Sequence, residues 1–240
     1  MDPKAARPAQ AQGREPLILS PEEAPRIWAE SYDAQPNPLV ALELRVSAAV
    51  LGPLDGRRAL DVACGTGLWL AGARSSGAFA FGVDRSPEML ARGAARAALG
   101  GALLLGDARR LPLRDALFDL ARSAFCAGYV EDADALVAEL ARVVRPGGTV
   151  WLSDLHPEAS RRGWKRGFRR GGTSYEIAAL AHTASDLERA GRRAGLALEA
   201  IVEPHLGEPE RELFRQAGKE SSFEPARAIP ALLALRWQRQ

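Results

Sequence analysis

Three acids and a glycine loop are the residues of this chain whose spacing points to chemistry. Asp61 ends the apolar run "RRALDV" and opens the segment Asp61-Val62-Ala63-Cys64-Gly65-Thr66-Gly67. Asp84 ends a second apolar run, 19 residues beyond Gly65, and Asp107 ends a third. Glycines let a backbone approach a ligand closely and take up positive φ. The helix expected after Gly67 would turn its free N–H groups toward the same ligand. A carboxylate at Asp84 can accept both hydroxyls of an adenosine ribose. One at Asp107 can accept from the exocyclic amine of adenine, with the Ala108 N–H reaching the ring. The four features together suit a ligand that contains adenosine. A dinucleotide site wants glycine at the third position of G-x-G-x-x-G, for close packing of helix on strand. This chain has Leu70 there, which counts against a nicotinamide dinucleotide.

The elements that would position these groups alternate. Strands are expected over 57–62, 78–84, 102–107, 117–125 and 149–155. Helices are expected over 67–77, 86–99 and 132–148, with a further helix over 184–195 and strands over 196–203 and 230–238. Ser86, Pro87 and Glu88 form a helix start, and Pro146-Gly147-Gly148 a stop. Strand and helix in alternation at short spacing mark a parallel sheet covered on both faces. Before this unit lie a tail (1–16), rich in Ala, Pro, Gln and Arg and read as disordered, and two helices, one after Ser20 and one over 39–51. Within 156–183 the alternation stops, and six basic residues (Arg161, Arg162, Lys165, Arg166, Arg169, Arg170) interleave with Trp164 and Phe168. Such a mixture can bind single-stranded nucleic acid. A solvated face or a lid over the site is the preferred reading.

Length and composition fit one globular α/β domain: 240 residues, 47% hydrophobic and 26% charged. With 32 basic and 30 acidic residues the net charge is +2, so no global field argues for nucleic acid or a membrane surface. Two cysteines, Cys64 and Cys126, give no disulfide framework and no metal-type spacing, and both read as packed residues. The sequence shows no secretory leader and no long apolar run, which fits a cytoplasmic protein.

In order, these segments resemble the motifs of the class I (Rossmann-like) S-adenosylmethionine-dependent methyltransferases, in particular the small-molecule subgroup with a D-x-G-C-G-T-G loop. The matching stretch runs from about Tyr32 to Val202. It includes the glycine loop, Asp84, Gly106-Asp107-Ala108, and the helix and turn Leu140 to Gly148. The resemblance implies a three-layer α/β/α sandwich. Its sheet has seven strands in order 3-2-1-4-5-7-6, mostly parallel, with the last strand antiparallel. From the chain's own pattern one domain is expected over 17–240, with an N-terminal helical cap at about 20–52 and an insertion or lid at about 156–183. The resemblance implies S-adenosylmethionine as cofactor and S-adenosylhomocysteine as product. Cofactor contacts are expected from Tyr32, Asp61, Ala63, Cys64, Gly65, Gly67, Asp84, Arg85, Met89, Asp107, Ala108, Ser123 and Ala124. Met89 serves equally as core.

Two positions depart from the family pattern. Ala63 stands where glycine is common. Arg122 stands in a strand position that is usually apolar. If buried, Arg122 needs a carboxylate partner. Alternatively it points into the cleft, toward an acidic substrate.

A proton-bearing acceptor would need a base. His156 after the fifth strand and His182 before the helix at 184 are the candidates, with Tyr129 as a positioning hydroxyl; His205 reads as structural. The expected activity is methyl transfer to a small molecule, in a monomer or homodimer. The acceptor atom (O, N, C or S) is open. The alternatives are a non-catalytic cofactor-binding regulatory module and a protein or RNA methyltransferase. Against base-amine methylation, "SAFC" stands where N/D-P-P-Y/F would be needed.

Overall fold

The computed structural model describes residues 15–35 and 37–240. The tail expected over 1–16 lies almost wholly outside the described residues. The alternation read from the sequence folds as a central sheet. Strands β2 (Arg58–Val62), β3 (Phe79–Asp84), β4 (Leu103–Leu105), β5 (Phe118–Ala124) and β6 (Val144–Leu155) run parallel. They are joined by β9 (Leu196–Val202) and β10 (Leu232–Arg239) in the order β4-β3-β2-β5-β6-β10-β9. Strand β10 is antiparallel to both β6 and β9. Counted within the sheet this is the 3-2-1-4-5-7-6 order, with the terminal strand reversed.

Both faces are covered. Helices α5 (Ala133–Val143) and α7 (Ala184–Arg193) pack on one face, over Leu60, Val62, Ala121, Val150, Leu152 and Trp237. Helices α2 (Pro38–Leu51) and α3 (Leu68–Ser75) pack on the other, over Ala59, Leu120, Trp151 and Ala234. Adjacent residues of a strand point to opposite faces, so Leu60 and Ala59 enter different cores.

Helix α4 (Pro87–Ala94) begins where the sequence placed it. The Ser86 hydroxyl accepts the Met89 N–H at 3.1 Å, and Pro87 sits in the first turn. It ends earlier than the expected Leu99, because Arg96 leaves the helix. Its guanidinium reaches back to the Thr66 carbonyl (3.0 Å) and to Asp33 (2.6 Å). Helix α5 likewise stops at Val143, and 144–148 already belong to β6. There Gly147 takes a φ of 75°, and the register against β5 shifts between Phe118 and Leu120.

Ahead of the sheet lie a short strand β1 (Leu17–Leu19), helix α1 (Ala24–Trp28) and a 3-10 turn over Tyr32–Ala34. The turn after Ser20 is closed reciprocally: Ser20 N–H donates to Glu23 and Glu23 N–H donates to Ser20 Oγ. The 156–183 segment forms α6 (Pro157–Arg161) and a hairpin of β7 (Gly167–Arg170) and β8 (Thr173–Ile177). The two-residue turn is Gly171-Gly172, both at positive φ, as a type I′ hairpin requires. Strand β1 adds to β8 in parallel, so the N-terminal segment and the 156–183 segment share one three-stranded sheet. Trp28 stacks on Phe168 at 4.8 Å, and Phe168 on Tyr175 at 4.9 Å. Gln35 donates to the Arg169 carbonyl at 2.9 Å, and Arg170 donates to the Ile27 carbonyl at 2.7 Å. Helices α8 (Glu208–Gln216) and α9 (Phe223–Arg227), between β9 and β10, were not expected from the sequence. Among the described residues no helix is long and apolar enough to cross a membrane.

Candidate active site

The glycine loop leaves the carboxyl end of β2, next to the carboxyl end of β3, where parallel sheets offer a ligand crevice. Ala63, Gly65 and Gly67 all have left-handed φ (60°, 55° and 72°), which makes the loop tight. A side chain at Gly67 would begin 2.4 Å from Leu99 Cδ1, whereas one at Gly65 would meet nothing within 4 Å. Gly67 is therefore glycine for packing, and space lies open beside Gly65. Ala63 holds the same backbone conformation with a Cβ, a strained choice for a non-glycine residue.

Asp84 is 8% exposed and faces this loop. Its Oδ2 accepts the Gly65 N–H at 2.7 Å, and its Oδ1 accepts the Ser86 N–H at 2.8 Å. Burial pushes its carboxyl above the usual range, against the opposing pull of these two bonds. Each oxygen keeps a further lone pair, so hydroxyl donors of a ligand would complete its coordination. Ser123 Oγ donates to the Val62 carbonyl at 3.0 Å and so closes the floor between β2 and β5. Met89 is buried on α4, and Cys64 is buried behind the loop, its thiol pushed far up by burial. Ala108 is half-buried against the α5-side core, and Ala124 ends β5 beside Ser153. Asp107 is half-buried and held by the Arg109 side chain and N–H, which lower its carboxyl to about 2. Arg85 is exposed and pairs with Glu22 of the cap.

Beneath the loop, Arg122 is buried and takes the structural option of the two left open. It contacts Asp61 at 2.7 Å and also Glu43 of α2, with the Trp69 ring 4.9 Å from its guanidinium. Burial raises the Asp61 carboxyl to about 6, although Arg122 opposes the shift. The Thr66 hydroxyl donates to Asp33 at 2.7 Å, which ties the N-terminal cap to the loop. Tyr32 packs on Trp28 at 4.7 Å, and burial raises its phenol far above the usual range.

The two candidate bases differ. The His156 N–H donates to the Ala231 carbonyl at 3.0 Å. Its ring Nδ1 accepts the Glu158 N–H at 3.0 Å as the cap of α6, so Nε2 carries the proton and donates to Glu203 at 3.0 Å. Both ring nitrogens are committed, and His156 is held as the cap of α6. His182 is half-buried. Its Nε2 lies 3.0 Å from the carbonyls of both Ala127 and Val130, so that nitrogen must donate and Nδ1 carries the lone pair. His182 thus braces the 127–130 loop after β5, which holds Tyr129. Tyr129 lies under Arg166, whose guanidinium is 4.7 Å from the ring centre. Arg166 is ion-paired with Asp154, and the Asp154 carboxylate accepts the Gly128 N–H at 2.7 Å.

Asp33, Glu43, Thr66, Asp154 and Arg166 were missed as candidates. Each owes its place to a partner distant in sequence, a relation that spacing does not reveal. Most of the basic stretch is neutralised internally: Arg161 and Arg162 by Glu158, Lys165 by Glu176, Arg166 by Asp154 and Arg170 by Glu30.

Residues 60–152, which span the glycine loop, Asp84, Asp107 and the β5–β6 floor, match the family described as methyltransferase domain. Over those residues the chain is similar to that domain. Its Rossmann-like class I fold is that of an S-adenosylmethionine-dependent methyltransferase from Mesorhizobium loti. The two agree with a TM-score of 0.66 and 25% identity, over 85% of this chain and 100% of the other. A demethylmenaquinone methyltransferase of Mycolicibacterium paratuberculosis is 42% identical over 109 residues, 45% of each chain. A malonyl-[acyl-carrier protein] O-methyltransferase of Serratia marcescens is 37% identical over 130 residues, 53% of this chain and 49% of its own. The methyltransferase domain thus aligns with somewhat under half of the length of these curated relatives.

Proposed function

We propose that the chain transfers a methyl group from S-adenosylmethionine to a small-molecule acceptor. The observation that carries this reading is the Gly65–Asp84 contact: a buried carboxylate at the end of β3 facing an open, left-handed loop at the end of β2. The donor set fits the cofactor. Asp84 would accept the ribose hydroxyls, Asp107 would accept from the adenine exocyclic amine while the Ala108 N–H donates to the ring, and the N–H groups of the loop would face the methionine part. When bound, the cofactor supplies a methyl already activated on a sulfonium.

The chain's own task is then to hold the acceptor in line and keep water out. Good orientation is worth roughly 7–11 kcal/mol of barrier. The cap and the lid are placed for this, joined by the β1–β8 pairing and the Trp28–Phe168–Tyr175 stack. A covered site with internally paired cations favours a small acceptor over a nucleic acid. The relatives are named for different acceptors, so they leave the acceptor atom open. For an acceptor that must lose a proton, His182 Nδ1 is the base in this proposal. Its tautomer is set by the carbonyls of Ala127 and Val130, and Tyr129 positions the acceptor.

Thermal unfolding with S-adenosylhomocysteine, and with NAD as comparison, tests the cofactor. A ligand at about 100 times Kd stabilises by roughly 2.7 kcal/mol, which for a domain of this size is a shift on the order of 5–10 °C. A shift with NAD alone, or with neither, would overturn the reading.

A further inference from the structure

The pair formed by Arg122 and Asp61 has a third member that the proposed reaction does not use. Glu43, on α2, is 1% exposed and contacts the same guanidinium. Its Oε1 accepts from the Trp151 indole N–H at 3.0 Å and from Ser153 Oγ at 2.9 Å, while Oε2 faces Arg122. Both oxygens of this carboxyl are therefore taken up by donors. Asp61 receives Arg122 on Oδ1, and its other oxygen takes no hydrogen bond among the described residues. Two carboxylates therefore share one cation in a buried site. Asp84, with no cation bonded to it among the described residues, lies on the next strand. Beneath the glycine loop the acidic groups outnumber the cation: Asp61, Glu43 and Asp84 stand against Arg122. Burying uncompensated charge is costly, and a fold that retains it gains if the loop's occupant is positive.

We propose that Glu43 is a positioning residue. By sharing Arg122 with Asp61, it keeps a surplus negative charge beneath the glycine loop, and this makes the loop prefer a sulfonium ligand over the corresponding neutral sulfide. The proposal rests on the cofactor reading above and deepens it. A site built this way binds the reactant more tightly than the product, which differs by one charge and one methyl group, and so releases the product. Asp61 is the carboxylate through which the surplus acts. The groups facing it are Arg122 from β5, Glu43 from α2, Asp84 from β3, Tyr32 from the cap and Cys64 from the loop. Among them Arg122 alone is cationic.

The test compares binding of S-adenosylmethionine and S-adenosylhomocysteine by calorimetry, in the wild type and in Glu43→Gln. The two ligands differ by the charge and one methyl group, so the change in their affinity ratio between wild type and variant reports on the sulfonium charge. Removing one buried charge nearby should lower the preference for S-adenosylmethionine roughly tenfold and leave S-adenosylhomocysteine nearly unchanged. In the wild type the same preference should shrink between pH 8 and pH 5, as Asp61 takes up a proton. This second measurement decides the matter alone if Glu43→Gln does not fold. Parallel weakening of both ligands in the variant, or a wild-type ratio flat with pH, would overturn the proposal. If the wild type binds neither ligand, the cofactor reading itself fails and the proposal falls with it.

Discussion

Asp61 and Arg122 are register partners on the adjacent strands β2 and β5, and their side chains meet at 2.7 Å inside the α2-side core. The guanidinium also meets Glu43. Removing it would leave both buried carboxyl groups without the cation they share. Arg122→Met should therefore cost about 3–5 kcal/mol at pH 8, the range for breaking a buried pair from one side. The sign of the pH effect follows from the raised Asp61 carboxyl. A group whose folded pKa lies above its unfolded one adds stability below the unfolded value, near 4, and loses it as pH rises through about 6. The variant should accordingly recover part of its loss at pH 5. Urea unfolding at both pH values checks this, and an equal loss at both would count against it.

Ala63 offers a gain instead. Its φ of 60° places a Cβ in the left-handed region. That costs an L-residue roughly 1–2 kcal/mol, partly offset by the greater chain entropy of glycine. Ala63→Gly should raise stability by about 0.5–1 kcal/mol and the unfolding temperature by roughly 1–4 °C. It should not weaken S-adenosylhomocysteine binding, because it only removes a methyl group from the loop. A lower unfolding temperature would show that the surrounding chain holds this conformation without strain.

Much of this site was legible because it is local. The loop from Asp61 to Gly67, the cap at Ser86 and the acid at Asp84 each sit within a few residues of the feature that explains them. The order of the sheet followed from the motif series as a whole. The Gly171-Gly172 hairpin was readable too, since two glycines between Arg170 and Thr173 meet the demand of a type I′ turn for positive φ, but the expectation there stopped at a lid. The partners of Arg122 were not readable: Glu43 lies 79 residues away in sequence, on a helix whose apolar pattern says nothing of which carboxylate it buries. The early end of α4 was hidden for the same reason, because Arg96 is drawn off by Thr66 and Asp33. Helix α8 was missed although its start is local, with Glu210 accepting the Gly207 N–H at 2.7 Å.

The histidines should separate in experiment. His156 uses both ring nitrogens, one as the cap of α6 and one toward Glu203. His156→Gln should lower stability by about 0.5–2 kcal/mol, the value of a helix cap, with turnover preserved. His182 uses only Nε2, toward the carbonyls of Ala127 and Val130, and in the proposal above Nδ1 acts as the base. With an acceptor that must be deprotonated, His182→Gln should lower kcat by about 10²–10⁴-fold and leave S-adenosylhomocysteine affinity unchanged. Steady-state kinetics with calorimetry on both variants gives the comparison. Equal kcat values for the two would remove His182 from the role of base.

Asp84 holds the N–H groups of Gly65 and Ser86 with the same carboxylate that, in the proposed function, would meet the ribose hydroxyls, and so would join cofactor binding to the shape of the loop. In Asp84→Asn one of these two N–H groups would face the amide NH₂ instead of an oxygen. An unsatisfied buried donor costs about 1–3 kcal/mol, so the variant should unfold at lower temperature. Burial of the Asp84 charge works the other way. Its raised carboxyl makes the wild type pay for ionisation at neutral pH, and the amide escapes that cost. The stability loss should therefore be larger at acidic pH, where the wild-type carboxyl is protonated and its burial penalty is gone, than at pH 8. S-adenosylhomocysteine affinity should fall at least tenfold at pH 8, because a neutral amide accepts hydroxyl bonds about half as strongly as a carboxylate. Calorimetric titration and thermal unfolding on the same sample read both effects. Retained affinity with lowered stability would make Asp84 a brace for the glycine loop alone and would move the ribose contact elsewhere.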